Sequence, residues 1–399
     1  MATNEKKSSD GKVERPPLKK HDIKMLDLAF AMDCTGSMGS YIDSARDNIR
    51  KIVDEIVASE KSDVRLALVE YRDHPPQDSS FVTNVHDFTG SAKQMRQWLG
   101  ECSANGGGDC PEAVADALHD VLKLSWRGEA TKICVCISDA PPHGLGVSGD
   151  GFPNGCPADI DPMDVTHKMA EKGITLYMVG CEPSITPYKD FFMALAFITG
   201  GQYVPLGKAQ LLTQVIVGGA QEEMSLEQFM DEVNEEAQAD LAAGREIDEE
   251  EFTRRVHGKM LSKGIKTKQL KRNKAELQTA SDVPQAMSVV NSRSMGEVRK
   301  NFKISNPGDG GFGMARCMMA APPPMGAPRA RAMPQMAEMG GGMIPPPSGA
   351  PVPFSAAPGE GVNACDAGEE SYEVMHEDIS YAQSTRMVQK CLKRNMLKK

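Results

Sequence analysis

Several stretches of the chain are apolar from end to end, and each is followed by a helix-period segment. "LDLAFAMD" ends at Asp33, and Ile42, Ala45, Ile49, Ile52 and Ile56 then recur at intervals of three and four. "VRLALVEY" (64–71), "TKICVCISDA" (131–140), "ITLYMVGC" (174–181) and "QYVPL" (202–206) read as further strands. Helical patterns separate most of them: "AKQMRQWLGEC", the segment after "GGGDCPE", "MDVTHKMAEKG", "KDFFMALAFITGG" and "AQLLTQVIVGG". "FVTNVHDFT" reads as a short edge strand. Strands without polar alternation are buried on both faces. The pattern therefore predicts an α/β fold, a doubly wound and mainly parallel sheet of Rossmann-like form. Ligands of such sheets sit at the carboxyl ends of the strands.

The first strand end carries Asp33-Cys34-Thr35-Gly36-Ser37-Met38-Gly39-Ser40. A P-loop needs a Lys after the second glycine and a dinucleotide fold needs GxGxxG; neither is present. A carboxylate at the strand end would also repel phosphate. Asp33 with Thr35 and Ser37 offers oxygen donors at alternate positions, the donor type a hard divalent cation takes. Ser40 reads as a helix cap. Asp109 in "GGGDCPE" and Asp139 in "ISDAPP" fall at further strand or helix junctions, so all three loops should converge at one sheet edge. The long loop Pro141 to Pro162 leaves directly from Asp139 and can overhang that edge. His74, His86 and His143 show no paired spacing and read as surface residues. No CxxC or His/Cys pairing points to structural zinc.

The separated motifs "DCTGSMGSYI", "VEYRDHPPQD", "GGGDCPEAVADAL", "SDAPPHGLG", "GDGFPNG" and "LYMVGCEPSITPYKDFF" occur in one order over Asp22 to Met230. Together with Asp33-x-Thr35-x-Ser37 they resemble the von Willebrand factor type A (vWA) fold, in an intracellular eukaryotic subgroup some of whose members carry an atypical alpha-kinase domain. The resemblance implies a metal-ion-dependent adhesion site (MIDAS) binding Mg²⁺ or Mn²⁺. Thr35 and Ser37 would be direct or near-direct ligands, and Asp33 and Asp139 would hold the ion partly through water. Asp109 takes the slot where the family usually has Thr. Three carboxylates around one dication leave an acidic partner less to gain, so either the ion is structural or the partner's donor is not a carboxylate. Asn105 and Glu112 are nearby oxygen alternatives.

The expected organisation is a disordered tail over 1–21, a vWA domain over 22–230 and a charged helical segment over 231–280. A Gly/Pro/Met/Ala-rich linker over 281–370 and a short C-terminal helix over 371–399 follow. The acidic block "EEMSLEQFMDEVNEEAQADLAAGREIDEEE" precedes the basic "FTRRVHGKMLSKGIKTKQLKRNK"; these read as solvated helices, with a helical hairpin or self-association as the alternatives. "TRRVHGKM" at Thr253 and "TRMVQKCL" at Thr385 place apolar residues at the same fourth and eighth positions.

A net charge of -10 argues against a general nucleic-acid or anionic-membrane binder. The start lacks a secretory h-region and no stretch of about 20 apolar residues occurs, so a cytoplasmic protein with reduced thiols is expected. No nucleophile–base pair and no His near the carboxylates are legible, and no kinase catalytic domain is recognisable. The expected function is an intracellular binding module for a protein partner. Association with a protein serine/threonine kinase and a purely structural, degenerate domain are the alternatives.

Overall fold

A computed structural model describes residues 22–60, 63–304 and 370–395. The expected tail at 1–21 and the whole stretch from Asn306 to Glu369 lie outside them.

The chain runs β1 (Asp22–Asp33), α1 (Gly39–Glu60), β2 (Asp63–Tyr71), β3 (Thr83–Thr89), α2 (Ala92–Glu101), α3 (Val114–Lys123), β4 (Ala130–Ser138), α4 (Pro162–Glu171), β5 (Ile174–Cys181), α5 (Lys189–Ile198), β6 (Gln202–Leu206) and α6 (Leu212–Glu227). The six strands form one sheet in the order β3-β2-β1-β4-β5-β6. All neighbours are parallel except β3, which pairs antiparallel with β2 at the edge. Helices cover both faces, so residues of either parity are buried along β1, β2, β4 and β5, whereas the edge strand β3 has no fully buried residue. Leu28, Phe30 and Met32 of β1 face α1 and α6, while Ala29 and Ala31 face α3 and α5. The whole periodic stripe of α1, from Ile42 to Ile56, is buried against the first face. The expected doubly wound α/β fold is what forms.

Beyond α6 the structure departs from the expected run of charged helices. It continues as α7 (Met230–Ala242), α8 (Glu249–Ser262), β7 (Lys266–Arg272), β8 (Ala275–Glu276), α9 (Pro284–Val290), α10 (Met295–Asn301), β9 (Tyr372–Asp378) and α11 (Tyr381–Arg394). Residues 266–272 and 275–276 are therefore strands joined by a turn, not helix, and β9 precedes the C-terminal helix. The order β8-β7-β9 makes a small antiparallel sheet. Its Leu270 and Val374 pack where α6 carries Gly218: a Cβ there would lie 2.6 Å from Leu270 Cδ1.

Likewise, 284–301 is not linker. Val289, Met295 and Val298 join the main core, and Arg299 grips the long loop through the carbonyls of Gly144 and Asn154, at 2.9 and 2.6 Å. The acidic α7 does pair with the basic C-terminal end of α8: Lys259 with Glu236 at 2.6 Å and Lys263, its cap, with Glu232 at 2.5 Å. The echo between Thr253 and Thr385 has a structural meaning. Val256 and Met260 of α8 meet Val388 and Leu392 of α11 in one small apolar core.

Candidate metal centre

The parallel register brings Asp33 beside Tyr71, and Asp139 directly follows β4. Asp33 is fully buried. Its Oδ1 accepts from the Thr35 N–H at 3.0 Å and the Thr35 hydroxyl at 2.7 Å, and its Oδ2 accepts from the Ser138 hydroxyl at 3.2 Å. Ser37 Oγ lies 3.5 Å from Thr35 Oγ1 and is exposed. Burial, and next the charge of Asp139, push the Asp33 carboxyl up to about 7, against the hydrogen bonds from Thr35 and Ser138. Asp139 is half-buried. The helix α1 begins at Gly39, so Ser40 lies inside its first turn rather than at a cap.

The glycine-rich loop completes the edge. Gly107, at φ 79°, passes between Thr35 and Glu112: a Cβ there would stand 2.8 Å from Glu112 Oε1. Asp109 Oδ2 accepts from the Gly151 N–H at 2.6 Å, so the long loop does reach over the site. Asp109 Oδ1 is buried without a partner, as are Glu112 Oε2 and Asp73 Oδ2. Burial pushes Asp109 up to about 6, with the Asp73 carboxylate adding to it. Burial also holds Glu112 well above its ordinary value, helped by the charges of Asp33, Asp73, Asp109 and Asp139. Glu112, offered by the sequence only as an alternative donor, is thus central to the cluster. Asn105 is exposed.

Asp73 was not singled out by the sequence, although "YRDH" places it two residues past β2. It is fully buried, and its Oδ1 faces His143 Nε2 at 2.6 Å. His143 Nδ1 lies 2.8 Å from Asp150. Burial works against the His143 charge, but Asp150 and Asp73 outweigh it and raise the imidazole to about 9. The expectation that no histidine lies near the carboxylates is therefore corrected. So is the surface placement of His74 and His143, which are 7% and 3% exposed because aspartates receive both rings. His86 is partly buried and stacks on Trp98 with ring centroids 4.8 Å apart.

Cys34 and Cys102, both free thiols, lie with their sulfurs 2.6 Å apart beside the Asp33 loop.

Residues 27–145 match the family model described as the von Willebrand factor A domain. The chain contains a von Willebrand factor A domain. Among relatives, it is 28% identical over 155 residues to "Alpha-protein kinase vwkA" of Dictyostelium discoideum, covering 38% of this chain and 24% of that protein. It is 26% identical over 209 residues to "Putative ariadne-like RING finger protein R811" of Acanthamoeba polyphaga mimivirus, covering 48% and 20%. A solved von Willebrand factor type A structure from Catenulispora acidiphila aligns at a TM-score of 0.36 and 16% identity, over 51% of this chain and 43% of that one. The chain thus spans no more than a quarter of the length of these two sequence relatives.

Among the described residues, the carboxylates of Asp33, Asp109 and Asp139 do not close into one group within 4.8 Å. Hydroxyl oxygens lie beside Asp33 instead, those of Thr35 and Ser138, with Ser37 Oγ next to Thr35. Among the described residues no Lys or Arg makes an ion pair with Asp33, Asp109 or Glu112. Oxygen-only donors, three buried oxygens without partners and uncompensated charge fit a hard divalent cation. Among the described residues, no helix is long and apolar enough to cross a membrane.

Proposed function

We propose that the A domain is a protein-interaction module whose strand-end edge binds Mg²⁺ (or Mn²⁺) through Thr35 and Ser37, with Asp33, Asp139 and Asp109 holding the ion directly or through water. The observation that carries this reading is the convergence of buried carboxylates at one edge with no Lys or Arg ion pair to Asp33, Asp109 or Glu112 among the described residues. A bound dication supplies the missing positive charge and one or more coordination positions toward solvent. Ser37, exposed at the rim, is where a partner's oxygen donor comes closest. Asp109 and Glu112 make the protein's own contribution strongly negative, so a partner donor that is neutral, a hydroxyl or carboxamide, is favoured over a carboxylate.

The test is thermal unfolding in Mg²⁺ against EDTA, for the unmutated chain and Asp33→Ala. At a cation concentration 100-fold above Kd, stabilisation should be about 2.7 kcal/mol and should vanish in the variant. Equal melting temperatures with and without Mg²⁺ in the unmutated chain reject the ion. Ser37→Ala should retain much of the thermal response yet weaken Mg²⁺-dependent partner capture, which separates ion holding from partner binding.

A further inference from the structure

Beside the carboxylate edge lies a second cluster of different chemistry. His74 comes from the loop after β2, Asp116 from the first turn of α3, and Cys156 from the long loop between β4 and α4. Their donor atoms are mutually close: His74 Nε2 to Asp116 Oδ2 is 2.9 Å, Cys156 Sγ to Asp116 Oδ2 is 3.2 Å, and Cys156 Sγ to His74 Nε2 is 3.7 Å. One nitrogen, one oxygen and one sulfur thus point at a common centre from three segments far apart in sequence.

We propose that His74, Asp116 and Cys156 bind one Zn²⁺, with solvent in the fourth position, and that this ion pins the long loop over the strand-end edge. Zinc bond lengths of about 2.0 Å to N and O and about 2.3 Å to S give tetrahedral edges of roughly 3.3 to 3.6 Å. The three observed separations straddle that range, so small side-chain movements admit the ion. The donor set of imidazole, carboxylate and thiolate is borderline in softness, which selects Zn²⁺ over the Mg²⁺ suited to the oxygen-only edge.

A second observation concerns the sulfur. Its lone pairs receive the backbone N–H group of Ala158 at 3.3 Å. The turn that aims it is closed by the Asp159 N–H on the Cys156 carbonyl at 3.1 Å, with Asp159 itself in the left-handed region at φ 56°. Burial and then the Asp116 charge push the metal-free thiol up to about 11, and its S–H points at Asp116 Oδ2; a dication bound between the two would displace that proton, and the backbone donor would orient the resulting thiolate. The His74 backbone N–H donates to Asp73 at 2.6 Å, and its ring packs edge-on against Phe152, 5.6 Å between centroids.

The site also gives the long loop a physical role. Six residues before Cys156, Asp150 receives His143 and the Gly144 N–H, and Gly151 donates to Asp109. Holding Cys156 therefore holds the segment that lies on Asp109. The zinc reading does not rest on the Mg²⁺ reading, since no ligand is shared.

Elemental analysis of the purified full chain after exhaustive dialysis is the direct test. One zinc per chain is expected in the unmutated protein and in Asp33→Ala. His74→Gln and Cys156→Ser should each lower zinc affinity at least tenfold. Should either variant fail to fold, cobalt replaces the comparison: Co²⁺ added to the metal-free unmutated chain should give a sulfur-to-cobalt charge-transfer band and intense tetrahedral visible absorption, both displaced by Zn²⁺. Undiminished zinc in folded Cys156→Ser, or a weak octahedral cobalt spectrum without the thiolate band, overturns the site. The three residues would then be a hydrogen-bonded trio only.

Discussion

Two buried acidic clusters in this molecule are resolved in opposite ways. On α6, Glu222, Glu223 and Glu227 lie under α11, whose Arg386, Lys390 and Arg394 recur every four residues on one face. Lys390 pairs with Glu223, Arg394 takes Glu227 through two nitrogens at 2.9 and 2.5 Å, and Arg386 reaches Glu222 at 3.2 Å and Glu223 at 3.3 Å. All six side chains are less than about a twentieth exposed, so each charge depends on its partners. At the strand-end edge Asp33, Asp73 and Glu112 are equally buried, but among the described residues the charged partner of Asp73 is His143, which Asp150 also engages. Where the acids serve to attach a helix, the chain supplies its own cations. Where they line an open edge, no Lys or Arg ion pair to Asp33, Asp109 or Glu112 is made among the described residues.

The largest expected effect lies in the first cluster. Lys390→Met strips Glu223 of its ammonium partner inside the protein, and the cost should be about 3 to 5 kcal/mol in urea unfolding. A loss below about 1 kcal/mol would mean that the cluster is hydrated in solution and the contrast with the edge is lost.

A smaller effect separates the clusters by pH. In EDTA, Asp33 and Asp109 titrate near 7 and 6 when folded, against 3.8 for the ordinary Asp. Between those values the folded state holds protons that the unfolded state has released. Stability should therefore fall as pH rises from about 4 to 7, on the order of 2 kcal/mol between pH 5 and 7. His143, raised from 6.5 to about 9, adds a loss of the same sign from pH 6.5 to about 9, because only the folded state keeps its proton there. Saturating Mg²⁺ should flatten the lower window, since the ion replaces the protons. Equal slopes with and without Mg²⁺ would show that no ion replaces the protons of these carboxylates.

How much of this was legible follows from the range of the interactions. The apolar strands and the Ile42–Ile56 stripe state their burial locally, and strand order then delivers Asp33, Asp109 and Asp139 to one edge. The rest depends on partners distant in sequence. His74 and His143 read as loop surface because the aspartates that make their burial tolerable stand 42 and 70 residues away. The strand β7, "KTKQLKR", looks like a basic helix because its buried parity is Thr267, Gln269 and Lys271, which are polar. Its partner β9 lies about a hundred residues on, where Lys271 meets Glu377. Asp73 shows no local sign beyond its position after a strand, and Cys156 none beyond a loop too long to be a simple connection.

The smallest and most discriminating change is Asp109→Asn. The carboxamide oxygen can keep the Gly151 N–H, and the amide nitrogen can donate to Asp73, where two carboxylates now oppose each other. In EDTA the variant should be more stable than the unmutated chain, by about 1 kcal/mol, because one like-charge contact becomes a hydrogen bond. In Mg²⁺ the advantage should disappear or reverse, since a neutral oxygen binds a hard dication less strongly than a carboxylate. Paired melting curves decide it. A variant less stable in EDTA that keeps the full Mg²⁺ response would show that Asp109 is neither repelled by its neighbours nor part of the ion's charge balance. In that case the edge would resemble the α6–α11 cluster more than it differs from it.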